Sequence, residues 1–152
     1  MDAMRPSSLP KALLALNLAV CAASLGCGRK GDPIPRVRLG AKAPAVRWIA
    51  LRRLEITLPT QDVGGEDLVG IEQVRLLWLP VGLARPGAQE VFTRGETVLE
   101  RRRPDLPKPG APLLLDLSGL KRPAGWLVVV AVRGGEVPGQ PSDVLTWLDP
   151  NL

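Results

Sequence analysis

The chain contains no His and no Tyr, one Phe and only two Cys. Without His it lacks the commonest general base and the commonest metal ligand. Two Cys without His cannot complete a four-ligand zinc site. A serine nucleophile at Ser118 or Ser142 would need a lysine as its base. Ser118 has Lys121 nearby in sequence, but nothing around it supplies an oxyanion hole. Asp62, Glu66 and Asp67 carry the oxygens that calcium prefers, at a spacing that matches no calcium loop. The expectation is a protein that is not an enzyme and needs no cofactor or metal.

What is present falls into three zones. With 152 residues, 45% of them apolar, there is room for one domain and some extra chain. Residues 1–26 read as an export signal: Arg5 and Lys11 precede the apolar run ALLALNLAVCAASLG from Ala12 to Gly26. That run is shorter than the roughly 20 residues a membrane-spanning helix needs. It ends in small residues, and Gly28-Arg29-Lys30-Gly31-Asp32-Pro33 follow it at once.

The break falls at Cys27, after Ser24-Leu25-Gly26. This resembles the lipobox of bacterial lipoproteins, although Ser24 stands where such signals usually carry Leu. Cys21 is the competing position, with the bulkier Val20 beside the cut. The resemblance implies that Cys27 becomes the first mature residue, with a diacylglycerol on its thiol and a fatty acyl chain on its amine. At about 0.8 kcal/mol per buried methylene, two or three such chains would anchor the protein to a membrane essentially permanently. Gly28, rather than Asp, after the Cys points by the rule of that class to the outer membrane, facing the periplasm.

Residues 27–43 read as a basic Pro/Gly tether, in which Arg29, Lys30, Arg36 and Arg38 would lie near anionic headgroups. Residues 43–152 carry 13 basic and 13 acidic side chains, the 20 and 15 of the whole chain less the seven and two of residues 1–42. The alkaline character of the whole chain is therefore not that of its folded part, and no basic patch interleaved with aromatics favours nucleic acid. The string Cys27 to Pro33 also resembles the start of small proteobacterial lipoproteins. One of these is an accessory subunit of the lipopolysaccharide export machinery, and in that alternative the tether would make the contact.

From about residue 44 to 149 the pattern is all-β. Ala45–Leu51, Leu54–Leu58, Ile71–Leu79, Gln89–Arg94, Glu96–Arg101, Leu113–Leu117, Leu127–Val132 and Asp143–Leu148 read as strands, and no run reads as a helix. About seven or eight short strands suit a two-sheet sandwich. LVVVAV, at Leu127–Val132, predicts a central strand buried on both faces.

The last third, from Leu117-Ser118-Gly119-Leu120 through Pro123, Gly125, Ala131-Val132, Gly134 and Pro141-Ser142, resembles the end of a fibronectin type III domain. That family's corner Tyr is missing, and Leu58 replaces its early Trp. The resemblance implies a β-sandwich acting as a binding module, here for a protein or glycan of the cell envelope. The candidate binding residues are the run Arg101, Arg102 and Arg103, suited to phosphate or acidic sugar, and Trp126, the tryptophan nearest a turn.

Overall fold

A computed structural model describes residues 37–148 of the chain. They form an all-β sandwich of two antiparallel sheets with one short helix. Among the described residues no helix is long and apolar enough to cross a membrane. The signal, Cys27, Arg29, Lys30 and Arg36 lie outside the described residues.

The first sheet joins β1 (Ala45–Ala50), β2 (Arg53–Thr57) and β5 (Pro112–Asp116) in the order β1-β2-β5. The second runs β4 (Glu96–Arg102), β3 (Gln73–Pro80), β6 (Gly125–Arg133), β7 (Val137–Pro141), with β8 (Leu145–Trp147) also on β6. Period-two alternation sets which residues meet. Leu54 pairs with Leu115 and Ile56 with Leu113 in the first sheet. Val74 pairs with Ala131, Leu76 with Val129 and Trp78 with Leu127 in the second. These side chains form the core between the sheets. At about 1.5–3 kcal/mol for each large aliphatic side chain buried, this layer is the main source of stability.

β6 is buried on both faces, as its sequence predicts. The cover on its outer face is a helix that the strand pattern does not anticipate. Residues Gln89–Arg94, expected as a strand, lie in α1 (Ala88–Arg94). Ala88, Val91 and Phe92 stand at i, i+3 and i+4, so a helix puts all three on one face, where a strand would split them. That face closes over Leu77, Val128, Val130 and Val132, and Val91 is fully buried there.

Two further departures concern the ends of elements. Val137–Pro141, a segment with two Pro that reads as loop, is an edge strand bonded to β6 on one side, where Pro is tolerated. The last strand is correspondingly shorter than Asp143–Leu148.

The chain also joins the fold before residue 44. Ala41 is fully buried. The Lys42 amide donates to the Gln61 carbonyl (3.0 Å), and the Gln140 amide donates to the Ala41 carbonyl (2.8 Å). The flanking Arg38 and Lys42 conceal this single apolar anchor in the sequence. Gly139 makes the crossing possible: a Cβ there would stand 2.6 Å from the Ala41 carbonyl oxygen and 2.8 Å from that of Ala131.

Candidate functional site

β6 runs between two unlike ends of the sandwich. Its last residue, Arg133, belongs to a cleft of about 350 Å³ lined by Arg38, Val69, Gly70, Glu72, Arg103 and Gly134 as well. Its first residues face β8, which borders an apolar groove of about 760 Å³.

At the cleft, Arg133 is structural. Its Nη1 donates to the Leu39 carbonyl (2.8 Å) and to Asp62 Oδ2 (3.1 Å). Asp62 is buried, and its other oxygen accepts the amides of Gly64 (2.9 Å) and Glu66 (3.0 Å). The acid considered for calcium therefore spends its carboxylate on closing its own loop and holding Arg133.

Arg38 and Arg103 differ from Arg133. Arg38 Nη1 donates to the Gly134 carbonyl at 3.3 Å, and Arg103 Nε donates to the Ile71 carbonyl at 2.9 Å. Among the described residues neither is paired with a carboxylate. Gly70 leaves room for the Arg103 guanidinium, which occupies the space a Cβ there would take.

The three-arginine run thus does not act as a unit. Arg102 turns to Glu100, holding that carboxyl below the usual carboxylate range, while its own pKa is raised by the same bond. Arg101 is exposed on β4. Only Arg103 reaches the cleft, where it meets Arg38 from the segment read as tether. Arg133 was missed by sequence reasoning because it ends an apolar strand and has no charged neighbour in the chain.

The groove at the other end is lined by Trp48, Leu51, Arg52 and the run Val144–Leu148. Leu51 is 88% exposed and Leu148 72%. Trp48 and Trp147 pack at 6.3 Å between ring centroids, tilted by 33°. Trp147 is itself buried, and its Nε1 donates to the Arg122 carbonyl (2.9 Å).

Trp126 is not the open platform that its position beside a turn suggests. It is half-buried against the outer core, and the Arg85 guanidinium sits over its ring, 5.7 Å from the centroid. Ser142 is also occupied: its buried hydroxyl accepts the Val129 amide (2.9 Å) and donates to the Asp143 carbonyl (2.9 Å).

The free sheet edges around this groove differ from the others. β4 carries Glu96, Glu100, Arg101 and Arg102, and β7 carries Pro138 and Pro141. Charge and Pro are the usual guards against edge pairing. β8 (LTW) has neither, and β1 (AVRWIA) has only Arg47, which is paired with Glu55 across to β2. Among the described residues β1 pairs only with β2 and β8 only with β6. The sequence matches no protein-family model, and neither a curated protein nor a solved structure is significantly similar to it.

Proposed function

We propose that the protein is a non-catalytic, membrane-anchored lipoprotein of the bacterial envelope. In this reading a fibronectin type III-like sandwich binds an extended segment of a periplasmic partner protein. The observation that carries the binding role is the apolar groove between two unguarded edge strands, β1 and β8. An added strand would gain main-chain hydrogen bonds from either edge and bury side chains against Leu51, Leu145 and Leu148. A glycan would need an open aromatic face; Trp147 is buried, Trp126 lies under Arg85, and Trp48 in the groove is half-buried against Trp147.

The strand order supports the family reading. First, second and fifth strands facing third, sixth and seventh is the immunoglobulin arrangement, here with the fourth strand on the edge of the second sheet. The anchor rests on the signal-like residues 1–26 and on Cys27. The groove and the arginine cleft lie at opposite ends of β6, about 30 Å apart at roughly 3.4 Å per residue.

Expression in a Gram-negative host tests the anchor. The wild type should lose residues 1–26, gain acyl mass and sediment with membranes. Cys21→Ser should behave the same, and Cys27→Ser should not. A soluble, unmodified wild type overturns the anchor. A photocrosslinking residue at position 51 or 148 should form an adduct with one defined envelope protein, and one at position 66 should not. Equal adducts from all three positions, or none, overturn the binding role.

A further inference from the structure

The arginine cleft has a different chemistry from the groove, and we propose that it is a binding site for a phosphoryl group on a small ligand, such as a lipid headgroup or a soluble phosphate ester. Three guanidiniums line it. Asp62 neutralises Arg133, leaving Arg38 and Arg103 against Glu72, a surplus of one positive charge. Among the described residues, Arg38 and Arg103 each spend one donor on a carbonyl and have the rest of the fork for an oxyanion.

The geometry is prepared before any ligand arrives. Arg103 is held by the Ile71 carbonyl over Gly70, and Arg133 is locked by two acceptors at the back. Gly134 lies between Glu72 and Arg38: a Cβ there would stand 2.7 Å from Glu72 Oε1 and 3.4 Å from Arg38 Nη1. Glu72 therefore faces the same space as Arg38 and opposes the anion. A volume of about 350 Å³ falls at the small end of the range for small-molecule sites, roughly 300–1,000 Å³. That is room for a phosphate with the group that bears it. The site stands whether or not the chain is anchored.

Inorganic phosphate is the first probe, titrated into the full chain while the Arg Nε–H resonances are followed by NMR. The Arg38 and Arg103 signals should shift and saturate. Arg38→Gln and Arg103→Gln should each weaken binding about tenfold, the loss of one charge-assisted hydrogen bond. Glu72→Gln should tighten it, and Arg101→Gln, on β4 outside the cleft, should leave it unchanged. The spectrum of each variant reports its fold at the same time. Shifts that never saturate, or an Arg101→Gln variant that loses as much as Arg103→Gln, overturn the site.

Vesicles separate the two sources. If the ligand is a headgroup, phosphatidic acid vesicles should compete with phosphate in the wild type, and phosphatidylcholine vesicles should not. If neither competes while phosphate still saturates the cleft, the ligand is a soluble phosphate ester. Both results uphold the cleft, and neither depends on Cys27.

Discussion

The two ends of the sandwich are built on opposite principles. At the arginine end, charge is fixed in place: Arg133 and Asp62 form a partly buried pair that ties β6, the loop after β2 and the incoming chain at Leu39. At the groove end Leu51 and Leu148 stand in solvent, and Arg52, which lines the groove with them, is paired with no carboxylate among the described residues. The same strand serves both ends, so the contrast arises from what packs against it. A charged pair inside a fold demands that every partner stay in place, because removing one leaves an unpaired charge. An open apolar groove makes no such demand on the fold. Substitutions at the first end should therefore act on stability, and substitutions at the second on association.

The largest expected effect is at Arg133. Arg133→Met keeps the apolar stem and strands Asp62, at a cost of about 3 kcal/mol in chemical denaturation. A loss below about 1 kcal/mol would mean that water reaches Asp62 and that the pair is not a structural lock. Gly139→Ala comes next, at about 2 kcal/mol, because two backbone carbonyls must move aside for its Cβ. Its signature is local: hydrogen exchange should quicken at the amides of Lys42 and Gln140, which fasten the incoming segment, before it quickens in β6. Uniform acceleration would show that this segment is not a separable part of the arginine end.

Leu51→Ser and Leu148→Ser sharpen the contrast from the other side. Both residues are largely exposed, so each change should alter stability by less than about 0.5 kcal/mol. The same changes should remove the crosslinked adduct of the envelope partner. A destabilisation comparable to that of Arg133→Met would make the groove part of the core and end the comparison.

How much of this was legible in the sequence follows the same division. LEITL and LVVVAV announce their strands because alternation and β-branched runs are local signals, and both reach the core as expected. Gln89–Arg94 reads as a strand because Val91 and Phe92 look like strand residues when taken in isolation. Only the uncovered outer face of β3 and β6 selects the helix. Ala41 was missed because one small apolar residue among cations carries no periodicity. The cleft was half legible: Arg38 and Arg103 were singled out for unrelated reasons, and only the fold brings them together with Arg133. The groove was not legible, since edge strands and their neighbours are set by sheet order and not by local pattern.

The smallest expected effect compares one exposed carboxylate at each end. Glu100, on the β4 edge towards the arginine end, is held below the usual carboxylate range chiefly by the Arg102 guanidinium. Asp116, at the other end of the sandwich, is lowered chiefly by the Ser118 amide, which donates to it at 2.9 Å. Both folded-state values lie below the unfolded ones, so each contributes stability that is complete above the ordinary carboxylate pKa and is lost as pH falls through the folded value. Salt should separate them. An exposed ion pair is screened, whereas a backbone hydrogen bond two residues away is little affected. In carboxyl-carbon NMR titrations at about 1 M salt, Glu100 should return towards its ordinary value while Asp116 stays low. Ser118→Pro, which removes the amide proton, should release Asp116 and leave Glu100 where it was. If salt moves both carboxylates alike, the two ends share one long-range field and do not carry separate local contacts.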